Sequence, residues 1–331
     1  MFNKVYTKFV KHIEEFDLIS NDTKKIIIAT SGGKDANIMT ELLYRYKIDF
    51  RPDLELLLAN AAIPKWKYNP TEFIQKIDDK KIIKALEEEG TYIEKHKKYW
   101  EQKGIKTVFL DHIEDGGDDE IFDSSIPCTH CFVAQKKALY KYMEELEDAE
   151  QSRLAIGITK WDILYMTLSN ILRANGKTWQ DIKRDEPSRY EMYCQHFATF
   201  SPIPKIDIGI PNKKVYSIEP IVCLSDMETR EYAKTLDLPV IPDVCVTLFG
   251  DRFSSDKRFF DNFMKVTAME ECNIAKNSNY SQFDFLDPLY SDYQDILDLL
   301  KLTGIMPPLE DFDGVLYKTY MDEVMKVGVV D

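Results

Sequence analysis

A chain of 331 residues, 44% hydrophobic and 12% aromatic, carries enough apolar material for one large domain with an appendage, or for two domains. No apolar run approaches the ~20 residues that cross a bilayer, and Met1 to Lys8 lacks the apolar stretch of a secretion signal, so a soluble, cytoplasmic protein with no membrane partner is expected. The formal net charge is −14, of which residues 256–331, with 15 acidic and 7 basic side chains, carry −8; such a chain is a poor general binder of phosphate backbones.

Residues 1–21 read as an amphipathic helix, with Phe2, Val5, Tyr6, Phe9, Val10, Ile13 and Phe16 on one side. Ile26-Ile-Ile-Ala29 is the short continuous apolar run of a strand covered on both faces. It runs into the turn Ser31-Gly-Gly33, where Gly32 and Gly33 permit positive φ and close approach to a ligand. A helix follows, with Ile38, Met39, Leu42, Leu43 and Tyr46 at helical spacing, and its first free N–H groups favour an anion. Lys34 adds a mobile positive charge, so strand, turn and helix together read as a phosphate cradle. Neither the Walker spacing nor a Gly-X-Gly-X-X-Gly turn after a strand is present.

Leu54–Asn60 reads as a second strand and Lys106–Asp111 as a third, after a helix around Tyr92 to Gln102. Between them, residues 64–90 form an insertion carrying Phe73, Ile74, Ile77, Ile82 and Ile83. Leu154–Gly157 reads as a fourth strand and Lys214–Glu219 as a fifth. Asp226–Asp237 is a capped helix and Leu238–Pro242 a short extended piece; the chain from about Phe253 is mostly helical. Alternating strands and helices predict a doubly wound parallel sheet of five strands, with ligands beyond the strands' carboxyl ends at the switch point, where Ser31–Asp35 fall. Phe259, Phe260, Phe263 and Met264 suggest a helical face that docks on the main domain or on a partner subunit, as in a homodimer; Asp311 and Asp313 read as solvated surface. Lys136, Lys137, Lys141, Lys177, Lys183, Arg184, Arg189, Lys205, Lys213 and Lys214 are candidates for a local basic patch, with a solvated face as the plainer reading. Asn21-Asp-Thr23 and Asn279-Tyr-Ser281 match the glycosylation triplet and read as chance surface matches.

Six cysteines in a reducing compartment call for metal or sulfur chemistry where they cluster. Cys128-Thr-His-Cys131 follows Pro127 and opens a helix through Val133, Ala138, Leu139, Tyr142 and Met143, a position that lowers thiol pKa. Two thiols do not complete a metal site. Cys245 leads as a third ligand and Cys223 is the runner-up, whereas Cys194 and Cys272 read as packing cysteines and His130 as pointing away. The plainer reading of the pair is structural zinc or buried thiols.

Ser31-Gly-Gly-Lys-Asp35 resembles the pyrophosphate loop of the ATP pyrophosphatase superfamily, Ser-Gly-Gly-X-Asp-Ser after the first strand, with Ala36 replacing the second serine. The order of that loop, Cys-X-X-Cys before a helix, Gly157 to Asp162 after a strand, and a late cysteine after Ile241-Pro242 is similar to the tRNA 2-thiocytidine synthetase group, over roughly residues 22–265. The resemblance implies an adenine nucleotide alpha hydrolase-like domain over residues 22–255, followed by an acidic helical region over 256–331. It implies that Ala29, Ser31, Gly32, Gly33, Lys34, Asp35 and Gly157 bind ATP, that Lys34, Asp35 and Asp162 serve catalysis with magnesium, and that Cys128, Cys131 and Cys245 hold a [4Fe-4S] cluster. The activity implied is adenylation of a base carbonyl oxygen followed by sulfur transfer from a sulfur donor, on tRNA or a smaller nucleobase compound. The strand-four motif keeps only Asp162 of the group's His and paired Asp, and a helix cap is an equal reading of it. Two other readings stand beside thiolation: a ligase or amidotransferase forming a C–N bond, with zinc or nothing at the cysteines, and a module that binds nucleotide without turnover.

Overall fold

The computed structural model describes residues 2–61, 92–110, 127–199 apart from 161, 164–166, 168–169 and 172–173, 201–241 and 293–321. The 64–90 insertion, Cys245, Cys272 and the Phe259–Met264 face lie outside these residues.

Helix α1 (Phe2–Glu15) leads to β1 (Lys25–Ala29), α2 (Lys34–Phe50) and β2 (Glu55–Asn60); residues 92–102 are helical and precede β3 (Lys106–Phe109). Helix α3 (Pro127–Glu145) precedes β4 (Ser152–Ala155). Helices α4 (Trp179–Asp185) and α5 (Pro187–Thr199) follow, then β5 (Lys205–Asp207), β6 (Tyr216–Ile218) and α6 (Asp226–Ala233). The last described elements are α7 (Tyr293–Leu302), α8 (Leu309–Phe312) and α9 (Leu316–Met321).

The sheet order is β3-β2-β1-β4-β6-β5, with every neighbouring pair parallel except β5–β6. The five expected strands form the parallel part; the sheet has a sixth, which the sequence reading missed. Strand β5 is only three residues long, too short for its alternation to register against the Ser/Pro-rich text before it, and it adds antiparallel at the edge.

Period-two alternation distributes the apolar run of β1 over two cores. Ile26 and Ile28 face a layer with α1, α2, residue Trp100 and α6, while Ile27 faces α3, α5 and the C-terminal helices. All three isoleucines are fully buried, worth about 2 kcal/mol each in apolar area removed from water. Helices on both faces make the sheet doubly wound, as expected.

Residues 293–321 belong to the second core, where Leu297, Leu300, Ile305, Phe312, Leu316 and Tyr320 pack with Leu139, Tyr140 and Phe197. The expectation that Asp311 and Asp313 are merely solvated is corrected here. Asp311 accepts from the Lys183 ammonium at 2.8 Å and the Tyr190 hydroxyl at 2.6 Å, and Asp313 accepts the Asp207 N–H at 2.7 Å. These bonds link segments more than 100 residues apart, which no local pattern encodes.

Candidate active site

The strand order reverses between β1 and β4, so the connections leaving their carboxyl ends diverge to opposite faces and open a crevice. A cavity of about 310 Å³ occupies it. Its floor is Ala29 and Thr30 after β1, Ala59 and Ala61 at the end of β2, and Ile156 and Gly157 after β4. One wall is the loop, Ser31 and Gly33 to Ala36; the other is the first half of α3, Phe132, Gln135, Lys136 and Leu139.

The loop is held from behind. Gly32 sits at φ +75°, where a side chain is disfavoured, and a Cβ there would lie 2.3 Å from Ile241 Cδ1. Its N–H donates to Thr30 Oγ1 at 3.0 Å, and its carbonyl accepts from the Ile241 N–H at 2.9 Å. The Gly33 N–H donates to Ser31 Oγ at 3.3 Å. Gly33 is the N-cap of α2 with extended geometry, and no side chain caps this helix, so the first N–H groups of a 17-residue helix face the cavity side with their partial positive charge. Lys34 Nζ bonds Asp35 Oδ1 and Thr229 Oγ1, both at 2.7 Å, which fixes the ammonium between loop and α6. Gly157 stands opposite: a Cβ on it would be 3.5 Å from the Ala36 nitrogen, so a side chain there would lean over the helix N-terminus.

The same helix that forms the α3 wall opens with the cysteine motif. Pro127 is the first helical residue, as its fixed φ and missing N–H favour, and it starts the helix so that positions 128 and 131 fall in its opening turns. Cys131 is half-buried, and its sulfur accepts from Gln135 Nε2 at 3.2 Å; Gln135 itself lines the cavity. Lys136 lines it too, and burial pushes its ammonium down to about 8 against the pull of Glu219. Glu219, next after β6, is buried with Oε2 unpartnered; burial drives its carboxyl well above the usual range, Lys136 opposes this and Asp162 adds to it.

Asp162 is not among the cavity-lining residues. Its Oδ2 accepts the N–H of Thr159 at 2.9 Å and the Thr159 hydroxyl at 2.8 Å, the geometry of a residue in a first helical turn reaching back to the cap. Cys223 lies against α1 with its sulfur 3.9 Å from the Lys8 carbonyl, and burial pushes its thiol up to about 12. Cys194, buried among Tyr190 and Tyr193, is pushed up to about 11. For both, burial of the sulfur disfavours the thiolate, as for a cysteine used in packing. Of the basic-patch candidates, Lys177 and Arg189 pair with Glu186, Lys183 with Asp311, Arg184 with Asp181 and Asp185, and Lys205 with Asp17.

Sequence reasoning missed the α3 wall. Phe132, Gln135, Lys136 and Leu139 are spaced i, i+3, i+4, i+7, a single helical face immediately after Cys131, and that spacing was the available signal. Among the described residues no group of three or more His, Cys, Asp or Glu is poised around a common metal position, and no helix is long and apolar enough to cross a membrane.

No protein-family model and no curated protein matches the sequence. Among solved structures, the U34-tRNA thiolase NcsA from Methanococcus maripaludis with its [4Fe-4S] cluster is similar to this chain over 92% of its length and 80% of the thiolase, with a TM-score of 0.54 and 20% identity. The chain shares the α/β fold of that thiolase, with a glycine turn at the switch point of a mostly parallel sheet.

Proposed function

We propose that this chain is an ATP-dependent thiolase of a nucleobase, with tRNA as the substrate class. The observation that carries the reading is the shared cavity: the anion-binding turn Ser31–Ala36 forms one wall, and the helix that opens with Cys128-X-X-Cys131 forms the other. A site for cleaving ATP and a site for delivering sulfur need this adjacency, because the activated carbonyl must be attacked before water reaches it. The fold shared with a tRNA thiolase supports the same reading.

In the proposed reaction the base carbonyl oxygen attacks the α-phosphorus of ATP and pyrophosphate leaves; a sulfur nucleophile then takes the carbon and AMP leaves. Lys34 and the N–H groups at the start of α2 neutralise the departing pyrophosphate. Lys136 reaches the cavity from the opposite wall as a partly desolvated cation, a setting in which its charge acts at low dielectric. Asp35 lines the cavity and is the carboxylate available to a magnesium ion accompanying ATP. Ala29, Ala59 and Ala61 keep the floor small and apolar, as a planar base requires. Cys131, a soft donor near the start of α3, is half-buried and one helical turn from the cavity-lining Gln135, whereas Cys194 is buried and Cys223 lies against α1. Cys128, Cys131 and Cys245 would hold a [4Fe-4S] cluster, which when bound supplies an iron able to carry sulfur.

The test is iron and acid-labile sulfide content after anaerobic purification, together with AMP and pyrophosphate release in the presence of tRNA. About four irons per chain, lost in Cys131→Ala and Cys245→Ala, with tRNA-stimulated pyrophosphate release, is the expected result. Zinc at the cysteines and release stimulated by an amine would replace thiolation with C–N bond formation.

A further inference from the structure

The two glycines of the turn create a difficulty for an anion site. Either peptide plane can flip at little cost, because glycine occupies positive and negative φ about equally, and a flip turns an N–H away from the ligand and a carbonyl towards it. The first bond of α2, from the Asn37 N–H to the Gly33 carbonyl at 3.1 Å, holds the Gly33–Lys34 plane, and groups outside the loop must select the orientation of the Gly32–Gly33 plane and reinforce the other.

Asn37 is fully buried in the first turns of α2, where asparagine is a poor helix former. Its Nδ2 donates to the Gly32 carbonyl at 2.7 Å, the Gly33 carbonyl at 3.0 Å and the Pro239 carbonyl at 3.4 Å. Its Oδ1 accepts Trp100 Nε1 at 3.1 Å, and that indole N–H also points at His96 Nε2 at 3.2 Å. The amide is therefore oriented unambiguously: the end facing the loop meets only acceptors and the end facing Trp100 meets a donor. No cis peptide occurs among the described residues, and in a trans peptide the C=O and the next N–H point opposite ways. Holding the Gly32 and Gly33 carbonyls back aims the Gly33 and Lys34 N–H groups forwards, and the Gly33 N–H does meet the cavity-lining Ser31 hydroxyl.

We propose that Asn37, oriented by Trp100, is the positioning residue that sets the peptide planes of the glycine turn for pyrophosphate. This rests on the reading that the turn binds the phosphates of ATP. It also ties the turn to residues 239–241, through Pro239 and the Ile241 N–H, so the anion cradle is built from three separate parts of the chain.

The test is calorimetric titration of the full chain with inorganic pyrophosphate and, separately, with adenosine. Asn37→Asp keeps the shape but turns an acceptor-only carboxylate on the three carbonyls of Gly32, Gly33 and Pro239. It is expected to weaken pyrophosphate binding by about tenfold or more, the equivalent of about 1.4 kcal/mol for one misdirected hydrogen bond to a charged group, while adenosine affinity changes by less than about twofold. Trp100→Phe, which removes the orienting donor together with part of the buried ring, is expected to show the same split at about threefold, and it decides the matter if the aspartate variant does not fold. Pyrophosphate affinity at the wild-type level in the variants overturns the inference, as does a parallel loss of both ligands, which marks a general structural role. Wild-type protein that binds neither pyrophosphate nor ATP overturns the nucleotide reading itself, and is thereby distinguished from a failure confined to the variants.

Discussion

Replacing Gly32 by alanine tests how the turn is held. At φ +75° any L side chain costs about 1–2 kcal/mol. The new Cβ would also lie 2.3 Å from Ile241 Cδ1, 2.6 Å from Cγ1 and 2.9 Å from Cβ. Ile241 is buried against Ile93 and Phe109 and bonded through its N–H to Gly32, so moving it loses packing and disturbs a 2.9 Å hydrogen bond. Overpacking of this kind costs about 1–3 kcal/mol, and the sum is about 3 kcal/mol, or a fall in Tm of about 4 °C for a chain of this length. The assay is a double-mutant cycle with Ile241→Ala, read by urea unfolding. Ile241→Ala removes the two nearest atoms and leaves only its Cβ, at 2.9 Å, so Gly32→Ala in that background should cost the backbone strain plus a smaller clash, and the two changes should couple by about 1–2 kcal/mol. Additivity within about 0.5 kcal/mol would show that Ile241 does not press on the turn, and the account of the cradle's rear wall would fail.

Lys136 has its ammonium pushed down to about 8 by burial, and an anion beside it raises that value, so binding above this pH takes up a proton. Pyrophosphate affinity should accordingly fall as pH rises through 8, and Lys136→Gln should lose both affinity, by about tenfold at pH 7, and this pH dependence, as followed by titration calorimetry. Glu219 has its carboxyl raised by burial above the usual 4.5, so its contribution to stability is fully present below that pH and is lost as pH rises towards the folded-state value. Glu219→Gln should therefore raise Tm at pH 7 and give no gain at pH 4, a comparison made by scanning calorimetry at the two pH values. Gly209, at φ +83°, faces the Gly314 carbonyl so closely that a Cβ would lie 1.9 Å from its oxygen. Gly209→Ala should cost more than about 3 kcal/mol and expose Leu316–Met321 to hydrogen exchange, since neither backbone can give way without breaking the Gly314 N–H to Asp207 carbonyl bond at 3.1 Å.

The parallel sheet was legible because its strands are continuous apolar runs, and such runs arise only where both faces are covered. Ile26 to Ile28 announced β1, and the glycine turn after it announced the switch point. Strand β5 was not legible, because three residues at an antiparallel edge carry too little pattern. Asp162 stood equally between metal and cap from its sequence alone; the structure places its carboxylate on Thr159. Lys136 was visible only as one of ten surface cations, since nothing local says that α3 closes over the end of β1.

Local chemistry, then, specified the units: a strand that must be buried, a glycine turn that can approach an anion, and a cysteine pair at a helix start behind Pro127. Each follows from covalent geometry and hydrophobic period within about a dozen residues. The tertiary structure decided what those units face. It set Gln135 and Lys136 across a cavity from Ser31 and Gly33, laid Cys223 against α1, and brought Trp100 and Ile241 behind Gly32 and Asn37. Contacts between segments so far apart in the chain depend on how the two layers pack on the sheet, and that packing is a property of volumes and hydrogen bonds summed over the whole core rather than of any one stretch of sequence.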